Sequence, residues 1–319
     1  MEQAEYKQLV ASLEGLTDDQ FEALLETLRQ RKDADGVQRL VQARMAERRC
    51  CPHCESMKVV KDGVAYGSQR FFCKDCRKTF NALTGTPFSR LRGKEKLLEN
   101  AACMADGLSI RKTAARLGIT VDKAFRWRHK FLEFLNVQKP SALSGIVEAD
   151  ETFFPVSYKG QKKGLPRTAK KRAGKTKDGA GTEKTAVVVA VQRGTQVEFD
   201  HVLPNATAVA LTDALRPVMG SDAILSTDGN AAYWTVAKEL EVKAGYFISS
   251  YHGKGGNGTW HVQSVNRYDA HLKGWMARFK GVATKYLANY LGWRRLLDRF
   301  KDNLTPQQFL FHALRPSYQ

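Results

Sequence analysis

An apolar, β-prone run at residues 146–154 carries three carboxylates, which are hard ligands suited to Mg²⁺. Glu148 and Asp150 share one face of an extended strand and Glu151 takes the other, because side chains alternate along a strand. A carboxylate that a central strand turns inward needs a cation or hydrogen bonds. The alternative is an edge strand whose acids are solvated.

Two later stretches carry polar residues in comparable positions. Asp228 follows a short apolar run at 223–227 and precedes a glycine and a helical pattern, so it stands where a strand end can hold a metal over a sheet. Residues 261–280 place apolar side chains at helical spacing, which predicts an amphipathic helix. Three polar residues lie close to one line along its flank: Asn266, Asp269 and Lys273.

Two cysteine pairs have the spacing of a zinc ribbon, with 18 residues between the pairs: Cys51 and Cys54, then Cys73 and Cys76. The sequence shows no secretory signal, so structural Zn²⁺ is favoured over disulfides. Cys50 adjoins the first pair, but the two-residue gap favours Cys51 as the ligand. Four thiolates close the coordination sphere, so this zinc would fold its module and take no part in catalysis.

Residues 94–135 show the pattern of three helices. Ser109 is placed to cap the helix that begins at Ile110, and Thr120 to cap the next helix after a turn at Gly118. Small helical domains with a turn glycine are common, and the adjoining cysteines and the overall charge favour a helix-turn-helix. Its second helix carries side chains suited to phosphates and base edges: Lys123, Arg126, Arg128 and His129.

The elements around the acidic residues follow a β-β-β-α-β-α order. Residues 185–191 and 196–202 are predicted to form an antiparallel hairpin, 206–219 a helix and 223–227 a further strand. Generic α/β enzymes alternate strands and helices more strictly.

Three segments resemble the RNase H-like core of bacterial insertion-sequence transposases of the DDE superfamily: EADETFF with Asp150, STDGNAAY with Asp228, and HVQSVNRYDAHLKGWMARFKGVATKYLANYLGW. The similarity is to the branch with an N-terminal zinc ribbon and Asn in place of the third Glu. In that family the third residue opens a late helix and a Lys follows seven positions on. Asn266 and Lys273 have this spacing, and the resemblance extends from about residue 51 to residue 293.

The resemblance implies an α/β protein with an RNase H-like core, an N-terminal zinc ribbon and a helix-turn-helix DNA-binding domain. It divides the chain into a helical N-terminal segment at 1–45, the ribbon at 46–90, the helix-turn-helix domain at 91–140, the catalytic domain at 141–300 and a C-terminal tail at 301–319.

The implied active site uses two Mg²⁺ or Mn²⁺ ions. Asp150 would bridge both ions, Asp228 would hold one, Asn266 would ligate the other, and Lys273 would contact substrate phosphate. Asn in the third position removes a negative charge and predicts weaker metal binding. One of three nearby acids would compensate: Glu148, Glu151 or Asp269. Asp269 is also the alternative third ligand, in which case Asn266 only caps the helix.

Lys and Arg number 51 against 33 Asp and Glu, so the net charge of +18 favours nucleic acid as the partner, ahead of an anionic membrane. No apolar run approaches ~18 residues, and the first residues, MEQAE, lack the order of a signal peptide. We expect a cytoplasmic, nucleoid-associated protein without a membrane partner. Its expected partners are double-stranded DNA, both element ends and target, and further copies of itself in a homo-oligomer on DNA.

The predicted function is a DNA transposase that binds the terminal inverted repeats of its element and catalyses metal-dependent strand cleavage and strand transfer. One alternative is a domesticated transposase that acts as a DNA-binding regulator; the presence of Asp150, Asp228 and Lys273 argues against it. Another is a structure-specific nuclease of the same fold. Inverted repeats flanking the gene would distinguish the first possibility from the others.

Two further segments have less specific patterns. Thr17 and Gln20 predict a capping box in a helical N-terminal segment that serves packing or oligomerisation. Residues 159–177 are rich in Lys and Arg and predict a loop, either a clamp on DNA or a solvated insertion.

Overall fold

The computed structural model describes residues 8, 13–17, 20–21, 24, 50–65, 68–89, 91–136, 138–161, 163–164, 183–246 and 260–314. The chain divides into two compact units, residues 1–134 with 302–319, and residues 135–301. The capping box is confirmed, since the Thr17 N–H donates to Gln20 Oε1 at 3.0 Å and the Gln20 N–H donates to Thr17 Oγ1 at 3.3 Å. Most of the N-terminal segment and residues 165–177 of the basic loop lie outside the described residues.

The first unit contains a small antiparallel sheet of β1 (Val59–Ala65), β2 (Ser68–Cys73) and β3 (Thr79–Asn81). Its core is Cys51, Cys73 and Phe80, with the Phe71 ring stacked on that of Phe80 at 5.6 Å. Because so few side chains are buried, hydrophobic packing alone does not stabilise this small sheet, and it needs an additional constraint.

Three helices follow, α1 (Leu97–Ala105), α2 (Ile110–Leu117) and α3 (Val121–Glu133). The predicted caps are confirmed: Ser109 Oγ accepts from Lys112 N–H and Thr120 Oγ1 accepts from Lys123 N–H. Gly118 ends α2 in the left-handed conformation, with φ 60°, where a residue without Cβ is unstrained.

The second unit is built on a mixed five-stranded sheet in the order β6-β5-β4-β7-β8. Its strands are β4 (Ile146–Pro155), β5 (Lys184–Gln192), β6 (Val197–Val202), β7 (Ile224–Thr227) and β8 (Lys243–Tyr246). β4 pairs antiparallel with β5 and parallel with β7, so the acidic run forms the middle strand and the edge-strand alternative is wrong. The hairpin of β5 and β6 is as predicted, whereas β8 was not predicted.

Helices cover both faces of this sheet. α4 (Ala208–Leu215) and α5 (Ala232–Glu239) bury apolar side chains against the face that carries Val147 and Ala149. α6 (Gln263–Ala277) and α7 (Leu287–Phe300) lie over the face that carries Glu148 and Asp200. No helix in the described ranges is long and apolar enough to cross a membrane.

The expected C-terminal tail contains a further helix, α8 (Pro306–Leu314). It packs on α1 and α3 of the first unit, with the Phe309 ring 6.2 Å from that of Phe131. Phe309, Leu310 and Ala313 are fully buried, so these last residues complete a hydrophobic core.

Candidate active site

Asp150 lies on β4, and Asp228 lies just beyond the end of the neighbouring parallel strand β7. Glu148 of β4 pairs with Ser226 of β7; Asp150 is two residues further along β4, and Asp228 is two residues after Ser226, in the bend that follows β7. Two residues is one full period of side-chain alternation, so Asp150 belongs to the face that carries Glu148.

Backbone N–H groups orient both carboxylates. The Glu151 N–H donates to Asp150 Oδ1 at 2.7 Å, and the Asn230 N–H donates to Asp228 Oδ1 at 3.1 Å in the turn after β7. Burial raises the pKa of Asp150, and the negative charges of Asp228 and Asp269 raise it further, while Lys273 opposes them. Residues from β4, β7 and α6 therefore share one electrostatic environment.

The α6 helix brings Asp269 and Lys273 of the predicted polar flank into the electrostatic environment of Asp150. Asp269 is 22% exposed and accepts a hydrogen bond from Lys273 Nζ at 2.6 Å, while the lysine side chain is 50% exposed. Asn266 is exposed in the first turn of the helix. Among the described residues, nothing hydrogen-bonds to Asp269 Oδ1, although this atom is buried.

The other two acids of the strand have separate surroundings. Glu151 faces the opposite side of the sheet near Tyr233, and burial together with the charge of Asp150 raises its pKa to about 7. Glu148 is fully buried and hydrogen-bonded to Arg193 and Ser264. Alternation along the strand predicts that Glu148 and Asp150 share one face. The hydrogen-bond partners of Glu148, Arg193 and Ser264, lie far from it in the sequence, so no local pattern could identify them.

The four predicted cysteines form a cluster that can hold a metal ion. Cys51 Sγ lies 3.6 Å from Cys76 Sγ, Cys54 Sγ lies 3.6 Å from Cys73 Sγ, and all four sulfurs lie within 4.8 Å of one another. A tetrahedral ion with bonds of about 2.3 Å separates its sulfur ligands by about 3.8 Å, so the spacing fits. The Cys76 backbone N–H, opposed by burial, lowers the pKa of Cys73 to about 6, whereas, against the Ser56 backbone N–H, burial and the other three thiols raise the pKa of Cys54 to about 12.

In the described ranges, no other group of three or more Cys, His, Asp or Glu side chains lies as close together as this cluster. The carboxylates of Asp150, Asp228 and Asp269 are less tightly gathered. Their like charges repel, so an intervening cation would draw them together.

The cations predicted on α3 have different environments. Arg126 is exposed and pairs with Asp122, Lys123 Nζ lies 5.0 Å above the Trp127 ring, and the half-buried His129 ring is 4.4 Å from that of Phe125. Arg128 is a correction to the prediction, because it is only 1% exposed. Its guanidinium donates to the Leu108 carbonyl and to Thr113 Oγ1, so it fastens α3 to the preceding helices and does not face a ligand.

Comparisons with known proteins agree with the resemblance found in the sequence. Residues 142–294 match the model of a family described as ISXO2-like transposase domain. A Halobacterium salinarum protein described as an uncharacterized protein in transposable element ISH50 is 29% identical over 250 residues, which cover 76% of this chain and 82% of that protein.

Two solved structures also align with the chain. One is a simian T-cell lymphotropic virus intasome in complex with PP2A regulatory subunit B56 gamma, with 11% identity over 64% of this chain and 69% of that chain and a TM-score of 0.32. The other is a pre-cleavage Mos1 transpososome, with 13% identity over 72% of this chain and 80% of that chain and a TM-score of 0.23. The family match and the Halobacterium relative confirm the resemblance to insertion-sequence transposases found in the sequence: residues 142–294 match an ISXO2-like transposase domain.

Proposed function

We propose that this transposase binds the terminal inverted repeats of its own element and catalyses metal-dependent cleavage and strand transfer of DNA. The observation that carries the proposal is that Asp150 on β4 and Asp228 just after the end of the adjacent parallel strand β7 share one electrostatic environment with Asp269 and Lys273 of α6. Like charges held together in this way are a common mark of a cation site.

The architecture supports finer assignments. A mixed sheet in the order β6-β5-β4-β7-β8 with helices on both faces is what an RNase H-like catalytic core requires. The cysteine-bearing antiparallel sheet supports a zinc ribbon, and α2, the Gly118 turn and α3 support a helix-turn-helix.

Asp150, Asp228 and the amide oxygen of Asn266 are the groups that would hold Mg²⁺ or Mn²⁺. Such ions, when bound, activate the attacking hydroxyl and stabilise the leaving oxygen of a phosphodiester. The raised pKa of Asp150 supports this assignment, since a cation would remove the repulsion from Asp228 and Asp269 that adds to burial.

Lys273 contacts substrate phosphate in this proposal. Its ammonium group is half exposed and is held toward the aspartates through Asp269. An exposed ion pair of this kind is weak, so the lysine can exchange Asp269 for a phosphate oxygen when DNA binds.

Double-stranded DNA is the proposed partner of the first unit. The side chains on α3 that would contact the element ends are exposed Arg126 and half-buried Lys123 and His129. The cluster of Cys51, Cys54, Cys73 and Cys76 would hold one structural Zn²⁺.

An element has two ends, so a homo-oligomer would hold them together. The protein would work on DNA in the nucleoid.

The identity of the third ligand gives a sharp test of the site. Replacing Asn266 with Ala should reduce end cleavage and joining in Mg²⁺ nearly as much as Asp150→Ala, because both remove a ligand, while DNA affinity stays the same. Asp269→Ala is the matched control on the same helix, and we expect it to be mild. Rates of cleavage and joining are measured together with melting temperatures.

The competing assignment predicts the reverse ranking. The expectation that Asn266 caps the helix is wrong, because Asn266 is the fourth residue of α6 and the N-cap is Val262. If Asn266 is not a ligand either, Asn266→Ala should keep its activity and change stability by less than about 0.5 kcal/mol. An active Asn266→Ala beside an inactive Asp269→Ala would then identify Asp269 as the third ligand.

A further inference from the structure

The helix that carries Asn266 begins without a cap of its own. Its N-cap residue is Val262, whose side chain cannot accept a hydrogen bond. The first N–H groups of any helix lack partners within the helix, and leaving them unpaired in a buried place is costly. The Gln263 N–H has a local acceptor in His261 Nδ1 at 3.4 Å, whereas the N–H groups that follow it need acceptors from elsewhere in the unit.

Glu148 of the central strand supplies these acceptors. Its Oε2 accepts the backbone N–H groups of Ser264 at 2.6 Å and Val265 at 3.4 Å, and its Oε1 accepts the Ser264 hydroxyl at 3.0 Å. The carboxylate is 0% exposed, and its charge lies at the positive end of the helix dipole. These bonds join the strand of Asp150 directly to the helix of Asn266.

Arg193 and His261 complete the surroundings of this buried acid, with His261 Nδ1 3.2 Å from Glu148 Oε1. Arg193 Nε donates to Glu148 Oε1 at 2.8 Å, and Arg193 Nη2 donates to the His261 carbonyl at 3.2 Å. Ser226 of β7 donates its hydroxyl to the same carbonyl at 2.9 Å. The negative charge of Glu148 is thereby neutralised, and both of its carboxylate oxygens already accept hydrogen bonds. Glu148 is therefore poorly placed to ligate an ion.

The rest of α6 is held by other contacts. Tyr268 donates its hydroxyl to Asp200 at 2.7 Å, and the Trp275 ring packs edge-on against the ring of Trp293 at 5.1 Å. At the far end, Lys159 Nζ donates to the carbonyls of residues 279, 280 and 281. Loss of the Glu148 contacts would thus release the first turn of the helix and leave its remainder docked.

We propose that Glu148 is a positioning residue, which sets the first turn of α6, and with it Asn266, against Asp150 two residues further along β4. This role goes beyond the expectation that Glu148 compensates as a metal ligand. Its catalytic consequence rests on the proposed function, whereas its structural consequence does not.

Hydrogen exchange tests the structural consequence without any substrate. In Glu148→Gln, an NH₂ donor replaces one acceptor oxygen and the negative charge at the start of the helix is lost, so the Gln side chain cannot satisfy both the backbone N–H groups of α6 and Arg193. Peptides spanning Ser264 and Val265 should therefore exchange at least about tenfold faster than in the wild type. Peptides spanning Trp275 should keep their protection. Leu211→Ala is the control for general loss of stability, because Leu211 is fully buried under the opposite face of the sheet.

A double-mutant cycle tests the catalytic consequence. At saturating DNA and Mg²⁺, Glu148→Gln should lower the rate of end cleavage by about 10- to 100-fold with unchanged DNA affinity, as expected for misplaced groups. Ser264→Ala, which keeps the Glu148–Arg193 pair, should lower it by about 3- to 10-fold. Added to Glu148→Gln, the serine substitution should have no further effect, because the contact is already lost.

Three results would overturn the proposal. The first is unchanged exchange at Ser264 and Val265 in Glu148→Gln. The second is full additivity of the two substitutions, and the third is a loss of cleavage in Leu211→Ala equal to that in Glu148→Gln. If Glu148→Gln does not fold, unchanged exchange and cleavage in Ser264→Ala alone would overturn it. A wild type that cuts no DNA but shows the expected exchange pattern would count against the proposed function and not against the anchoring of α6 by Glu148.

Discussion

Arg128 shows how residues on one helix divide between packing and binding. A positive residue on a predicted recognition helix was expected to contact DNA, yet Arg128 lies four positions after buried Ala124 and three before buried Phe131. These intervals place it on the apolar face of α3, so helical periodicity contained the signal. Charge alone did not reveal that the guanidinium would find acceptors in the Leu108 carbonyl and Thr113.

Arg126 and Arg128 should therefore respond oppositely to substitution. Arg128→Met leaves buried acceptors without their donor and should lower the free energy of unfolding by about 1–3 kcal/mol. Arg126→Ala removes an exposed ion pair, should change stability by less than about 0.5 kcal/mol, and should reduce the salt dependence of DNA binding by about one unit of slope. Urea unfolding and binding titrations at several salt concentrations measure both. A destabilised Arg126→Ala with an unchanged slope would contradict the assignment.

Glu198 of β6 should make stability depend on pH. Burial raises its pKa from 4.5 to about 8, and the charge of Asp298 adds to this, while Arg294 opposes it. The folded chain then keeps a proton that the unfolded chain releases between these values, so stability falls as the pH rises through that window and levels off above about pH 8.

Glu198→Gln removes this titration. Relative to the wild type, the variant should gain stability as the pH rises from about 5 to about 8.5, as measured by urea unfolding across that range. Asp222→Asn, a surface substitution in the same unit, should show no such trend. A stability difference that stays constant over this range would rule out the buried proton.

Secondary-structure elements with a strong local pattern could be predicted, and those without one could not. β4, β5 and β6 are rich in β-branched and aromatic residues, and α2 and α3 have Ser109 and Thr120 as caps. β8 is only four residues long, KAGY, and its pairing with β7 is a tertiary effect. The first turn of α6 was also beyond local reasoning, because its cap comes from a strand 116 residues away.

The cysteine-bearing sheet should depend on its metal, since it has almost no other core. Protein purified without chelator should contain about one zinc per chain, and Cys73→Ser should lose it. Cys50→Ser is the matched control, because Cys50 adjoins Cys51 but lies outside the four-sulfur cluster. Elemental analysis and thiol titration distinguish the outcomes: a metal-free wild type, or a disulfide among the four residues, would contradict the zinc assignment.

At the scale of the whole molecule, the chain returns to its first unit after completing the second. α8 supplies Phe309 and Leu310 to a core otherwise formed by residues before 135, so the second unit is inserted within the sequence of the first. The net charge of +18 indicated a polyanionic partner, but no local pattern indicated this return. Residues 301–319 were expected to form only a C-terminal tail, so neither α8 nor its packing partner was predicted.

The joint action of both units on DNA is tested most directly by one reaction. Full-length protein is mixed with labelled DNA that carries the ends of its element and with a target plasmid, with and without Mg²⁺. We expect the wild type to cut the ends and join them to the target only when Mg²⁺ is present, and Asp150→Asn to bind the ends with unchanged affinity but form neither product. Cleavage by Asp150→Asn at the wild-type rate, or wild-type cleavage that persists in chelator, would contradict an active site built on Asp150.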